Sequence, residues 1–138
     1  MDGAAWKVGF MTTGNVGDLS ELIVLTALVA DGRQVAIPYG NRPGYDLLVL
    51  GSDGAWKRLQ VKTAYQRSQR SGSIYCDFLR GSGKGKRRVY TVQDFDFLIA
   101  ALHKPRTIWV FNVSEVVGKR CRTIRFDDMK HHSRIDLI

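Results

Sequence analysis

The segment from Asp46 to Tyr65 constrains the fold more than any other part of the chain. Two runs rich in aliphatic and β-branched residues, Asp46 to Leu50 and Trp56 to Tyr65, flank Ser52-Asp53-Gly54. Such a pattern reads as a β-hairpin. A three-residue loop with Gly54 in the left-handed region pairs Gly51 with Ala55. Counting back along both strands sets Asp46 opposite Gln60, with Cβ atoms roughly 5 Å apart on one face. Lys62 lies two residues beyond Gln60 and shares its face, while Leu59 and Val61 take the other. Asp46, Gln60 and Lys62 then form one polar cluster. A two-residue loop would shift the register by one and scatter it.

A helix precedes the hairpin. It starts between Thr12 and Gly17, where Thr12, Thr13, Asn15 and Asp18 are candidate caps, and runs to Ala30 with Gly32 as its stop. It is apolar nearly all round and is expected to be largely buried. Glu21 shares a helical face with Val24, Leu25 and Leu28. A carboxylate on such a face is costly unless it is paired or binds a metal. An arginine, backbone groups or a cation would each satisfy it.

The remaining elements are read more coarsely. Trp6 to Met11 is a short strand or lead-in turn, and Gln34 to Ile37 is a strand ended by Pro38. Ser73 to Leu79 reads as a strand, Arg80 to Arg88 as a Gly/Lys/Arg loop, and Val89 to Val92 as another strand. Gln93 to Leu102 is amphipathic enough for a helix, with Thr91 or Asp94 near its start and Asp96 in its first turn. Thr107 to Val113 is a buried strand and Ser114 to Gly118 a helical turn. The basic tail from Lys119 onward carries no readable period. This order predicts one α/β (α+β) domain over residues 1–138, a central mixed sheet flanked by helices.

Composition narrows the setting. No run approaches the roughly 20 apolar residues of a membrane span, and the N-terminus lacks signal-peptide order. The expectation is a soluble, intracellular (cytoplasmic) protein with no membrane partner. Cys76 and Cys121 make no disulfide framework and no zinc spacing, so both are expected as reduced, partly buried thiols. His131-His132 reads as an exposed tail pair, and Trp6, Trp56 and Trp109 as core or interface aromatics. A formal net charge of +8 points to a polyanionic partner. Candidate phosphate contacts are Arg42 before the hairpin and Arg67, Arg70, Arg80, Lys84, Lys86, Arg87 and Arg88 after it. The glycine spacing there is wrong for a P-loop, and Lys86 is followed by Arg87 rather than Ser or Thr.

Acids and a lysine on one sheet face suit metal-assisted phosphodiester hydrolysis. A hard cation takes oxygen ligands, and a lysine beside it can stabilise developing negative charge. The ordered run Gly17, Glu21, Val24, Leu28, Gly32, Val35, Pro38, then Tyr45-Asp46-Leu47-Leu48-Val49, then Leu59-Gln60-Val61-Lys62-Thr63 resembles the PD-(D/E)XK nuclease superfamily. The likeness is strongest to the branch holding archaeal Holliday-junction resolvases and a small group I intron homing endonuclease. It spans residues 12–65 well and extends more weakly through Asp94 to Phe97 and Ile108 to Val113.

That resemblance implies a restriction-endonuclease-like core and an Mg²⁺- or Mn²⁺-dependent DNA endonuclease. Asp46 would be the central metal ligand, Gln60 the second ligand and Lys62 the motif lysine. Glu21 would be the helix carboxylate, and the Val61 carbonyl a further ligand. Two departures stand out. Tyr45 replaces the name-giving proline, and Gln60 replaces Asp or Glu, offering an oxygen without a charge. A structure-specific junction resolvase and a catalytically inactive DNA-binding module are the alternatives, with a basic RNA-binding domain behind them. One site per chain implies a homodimer or higher homo-oligomer for cutting two strands.

Overall fold

A computed structural model of the chain describes residues 13–40, 44–67, 72–81, 85–131 and 133–138. The strand or lead-in turn expected at Trp6 to Met11, and Arg42, Arg70, Lys84 and His132, lie outside the described residues.

Helix α1 (Thr13–Ala30) ends at Gly32, whose φ of +80° is the left-handed turn that stops it. Strands β1 (Val35–Ala36), β2 (Leu47–Leu50) and β3 (Trp56–Gln66) follow. β2 and β3 pair antiparallel in the expected register, Leu47 with Leu59 through Leu50 with Trp56. Gly51 N–H donates to the Ala55 carbonyl at 2.7 Å, and Gly54 sits at φ +81°. The three-residue turn is the one the sequence specified.

Beyond β3 come β4 (Ser73–Asp77), β5 (Leu79–Gly81), β6 (Arg87–Val89), β7 (Phe97–His103), β8 (Arg106–Asn112) and β9 (Cys121–Arg125). Short helices α2 (Val113–Val116) and α3 (Phe126–His131) lie in the C-terminal part. Among the described residues, β1, β2, β3, β4, β9, β7 and β8 make one mixed sheet, and β5 and β6 a separate hairpin. The expected mixed sheet flanked by helices is therefore present.

Several local expectations are corrected. The helix expected at Gln93 to Leu102 is strand β7, which runs parallel to β3 from Phe97 beside Leu59 to Leu102 beside Ala64. Six of its seven residues are buried, so it needs no polar face, and a continuous apolar run is what a central parallel strand requires. The strand expected over Ser73 to Leu79 breaks at Phe78, whose N–H bonds the Arg120 carbonyl instead. The loop expected over Arg80 to Arg88 is shorter, because Arg80 and Gly81 belong to β5 and Arg87 and Arg88 to β6, the two strands pairing as a hairpin. The tail forms β9 on β4. Cys76 is fully buried, whereas Cys121 is exposed. α1 is less buried than expected: Leu22 and Val29 are 56% and 58% exposed. A groove of about 790 Å³ along its outer flank is lined by Leu22, Thr26, Arg106 and Met129.

Strand parity divides the core. Leu59, Val61, Ile99 and Val110 pack under Ile23, Val24 and Leu28 of α1. Ala64, Leu98, Ala100 and Phe111 face the other way, onto Ile74, Phe78, Tyr90, Phe95 and Met129. Phe78 and Phe111 meet edge to face at 5.3 Å, as do Tyr90 and Phe95 at 4.9 Å.

β3 has three neighbours but only two edges. β7 lines one edge along residues 59–64. Odd-numbered residues point their N–H groups to the other edge: Val61 N toward Asp46 and Arg67 N toward Ser73. β2 covers that edge up to Leu59, and β4 covers it from Ala64 onward. Between them neither strand pairs with residues 60–63, and the sheet forks.

Position 54 tests the register. A Cβ there would meet nothing within 4 Å, so Gly54→Ala adds only the left-handed backbone penalty. We expect a loss of about 1 kcal/mol in unfolding free energy, read as a lower urea midpoint at unchanged m-value, and a smaller loss for Gly54→Asn. Equal stability of Gly54→Ala and wild type would refute the turn assignment.

Candidate active site

The fork is filled by a side chain. Asp46 N–H still donates to the Leu59 carbonyl at 2.7 Å, as β2 ends. The next backbone donor, Val61 N–H, goes to Asp46 Oδ2 at 2.8 Å. A carboxylate thus takes the place of the missing ladder partner, which explains why Asp46 is held in the plane of the sheet. Gln60 Nε2 reaches the same Oδ2 at 2.8 Å and the Val61 carbonyl at 3.2 Å.

Glu21 arrives from the α1 side. Protonated, it donates a hydrogen bond to the Asp46 carboxylate. Burial and the neighbouring Asp46 push the Glu21 carboxyl up to about 7. Burial also raises Asp46, against the opposing Val61 N–H. Like charges brought together in a partly buried site favour retention of a proton by the pair.

α1 is held at this height by polar contacts. The hydroxyl of Ser20, next to Glu21, is buried and lies 2.6 Å from Thr63 Oγ1 and 2.7 Å from His103 Nε2. These contacts tie the helix to β3 and β7 one residue from each of Glu21 and Lys62. Sequence reasoning missed all three residues; their only trace was a serine on an otherwise apolar helix face.

Lys62 shares the Gln60 face, as expected, but its ammonium is engaged elsewhere. Nζ donates to the Leu79 carbonyl at 2.6 Å and lies 5.6 Å from the Tyr90 ring centroid. Burial lowers its pKa. Leu79 begins the β5–β6 hairpin and Tyr90 follows it, so this basic hairpin holds the lysine. Neither residue carried a sequence signal for that role.

Of the arginines expected to face phosphate, Arg80, Arg87 and Arg88 are themselves paired. Arg88 grips Asp94 with both terminal nitrogens, at 3.0 and 3.1 Å, and Arg80 reaches Asp94 at 3.1 Å. Arg87 pairs with Asp77. The Arg88 bonds hold Asp94 down at about 2. Arg67 stacks over the Tyr75 ring at 4.4 Å, and Lys86 is exposed on the hairpin. Asp94 and Asp96 cap no helix, because there is none; Asp94 anchors the hairpin and Asp96 pairs with Arg58.

What this constellation can hold is a hard cation. Among the described residues no three His, Cys, Asp or Glu side chains cluster as metal ligands. The fork instead collects two carboxylates, a glutamine amide and the Val61 carbonyl, all potential oxygen ligands of the kind Mg²⁺ and Mn²⁺ take. The shared proton is the sign of a place where a divalent cation would relieve like-charge repulsion.

The sequence model of the PD-(D/E)XK endonuclease family matches residues 11–137. In fold the chain is similar to the solved structure of a bacterial homing endonuclease, I-Ssp6803I, with a TM-score of 0.72 over 92% of this chain and 87% of that chain, at 23% identity. No curated protein sequence matches. Among the described residues no helix is long and apolar enough to cross a membrane.

The proton held by the pair has a stability consequence. Glu21 is raised above its unfolded value of roughly 4.3, so its contribution is fully present below that value and is lost as pH rises through about 7. In EDTA, wild type should lose stability from about pH 5 to pH 8. Glu21→Gln should flatten that slope and be more stable by about 1 kcal/mol at pH 8. Urea midpoints across this range check it; parallel curves for the two proteins would contradict the shared-proton pair.

Proposed function

The chain belongs to the PD-(D/E)XK endonuclease family, and from that premise we propose that it hydrolyses DNA phosphodiesters with a divalent cation, Mg²⁺ or Mn²⁺, in the fork of its sheet. The carrying observation is the Asp46 carboxylate, which replaces the missing ladder partner of Val61 and meets Glu21 there. Asp46, Glu21, the Gln60 amide oxygen and the Val61 carbonyl would hold the cation. Bound there, it would polarise the phosphoryl group and lower the pKa of an attacking water.

The chain's own groups supply the rest. Lys62, half-buried beside Tyr90, brings a positive charge to the Gln60 face, where it would stabilise charge developing on the phosphate. Glu21 and Asp46 would release a proton on holding the cation, since ligating carboxylates must be ionised. The β5–β6 hairpin, with Arg80, Lys86, Arg87 and Arg88, together with Arg67, would contact the DNA backbone. Arg42, Arg70 and Lys84 belong to the same proposed surface by their place in the sequence. Two cuts in a duplex, or symmetric resolution of a junction, would need two copies. Duplex DNA and a four-way junction are the two substrates to test.

Gln60 favours one rival reading, a DNA-binding module that has lost the cut, because a neutral amide weakens cation binding. Incubation with supercoiled plasmid and with a labelled four-way junction, in Mg²⁺, Mn²⁺ or EDTA, separates them. We expect cation-dependent cutting that vanishes in Asp46→Ala together with the cation-induced rise in Tm. Lys62→Met should keep that rise but cut slower by roughly 10² or more. DNA binding without cutting on either substrate would favour the inactive module, and cation-independent cutting would reject the assigned site.

A further inference from the structure

Gln60 stands where the family pattern carries an acid, and in this structure it does what an ionised acid could not. Its Nε2 donates to Asp46 Oδ2 at 2.8 Å and to the Val61 carbonyl at 3.2 Å. The orientation of the amide is dictated by its partners. Both are acceptors, and Asp46 Oδ2 already accepts from Val61 N–H, so an inward-facing amide oxygen would set three oxygens against one another. Only the NH₂ end fits.

The two oxygens it bridges are the ones that would hold the cation. A donor nitrogen between them supplies what a cation supplies, positive potential shared by a carboxylate and a carbonyl. We propose that Gln60 is a latch: in the metal-free protein its NH₂ group stands in for the divalent cation between Asp46 and Val61. For the cation to enter, the amide must turn its oxygen inward. This inference rests on the reading of the fork as a cation site.

An acid at position 60 has no such second state. Once ionised, a glutamate offers no donor to Asp46 or Val61, and at pH 8 it would place a third carboxylate beside Glu21 and Asp46. It would bind the cation with one more charge and leave the empty site in repulsion. The amide makes the opposite compromise. It seals the fork of the sheet when no cation is present, and it requires a higher cation concentration for filling. The site then stays closed until the cation is concentrated enough to displace the NH₂ group from Asp46 and Val61.

Two measurements on the full chain test this. In EDTA at pH 8, Gln60→Glu should melt roughly 5 °C below wild type. It should also bind Mn²⁺ roughly tenfold more tightly, read from the dependence of Tm on cation concentration. In ¹⁵N-labelled wild type, the Gln60 side-chain NH₂ signals should move on titration with Mg²⁺, with the same midpoint as the Tm rise. Equal melting and equal Mn²⁺ affinity in the two proteins would overturn the latch, as would NH₂ signals that stay fixed while the cation saturates the site. If neither protein shows cation binding that Asp46→Ala abolishes, the endonuclease reading fails and the latch fails with it.

Discussion

The site depends on one geometric constraint: β3 has three strands to pair with and two edges to offer. β7 takes one edge without interruption. β2 and β4 divide the other and leave residues 60–63 uncovered between them. A backbone N–H left unpaired inside a protein costs more than a hydrogen bond contributes, so the gap requires an acceptor. Asp46 supplies it from the end of β2. The N–H and carbonyl of Val61 point the same way, so the carbonyl opens into the same gap. A structural demand of the sheet therefore builds an anionic, oxygen-lined notch, reached by α1 from one side and by the Gln60 face from the other.

The surroundings hold that notch in a strained charge state. Glu21 would be more comfortable in water, yet Ser20, bonded to Thr63 and His103, ties the helix close to the sheet. Helix and strand are thereby joined at positions adjacent to Glu21 and Lys62, and the carboxylate pair cannot relax by drifting apart. Functional sites commonly carry such a cost, and replacing their residues commonly stabilises the fold. The raised Glu21 carboxyl records it.

Much of this was legible in the residues. The turn at Ser52-Asp53-Gly54 fixes the register, the register sets Asp46 opposite Gln60, and the two side chains do meet. Glu21 was legible as a carboxylate with no good reason to sit on an apolar face. Other features were not. β7 was read as a helix because a short apolar run fits a buried strand and a buried helix alike. Its strand identity comes from β3 on one side and β8 on the other, which are long-range facts. The fork was invisible for the same reason: it is a property of three strands distant in sequence. The placement of Lys62 depended on Leu79 and Tyr90, which act through a carbonyl and a ring face and leave no charge pattern to read.

The basic hairpin shows why counting charges was too coarse. Seven basic residues flank and fill the segment from Arg67 to Arg88, yet those best described by the structure are committed to partners. Asp94 alone orients Arg80 and Arg88, and Asp77 takes Arg87. Fixed guanidinium forks lose little freedom when a further acceptor arrives, so pairing of this kind organises a phosphate surface rather than cancelling it. The same anchorage has a second effect. By pinning the hairpin to the turn before β7, Asp94 also fixes Leu79 and Tyr90, the two groups that hold Lys62. The surface that would meet the DNA backbone and the charge that would meet the reacting phosphate are thus tied to the same hairpin, Arg80 and Arg88 through Asp94 and Lys62 through the Leu79 carbonyl.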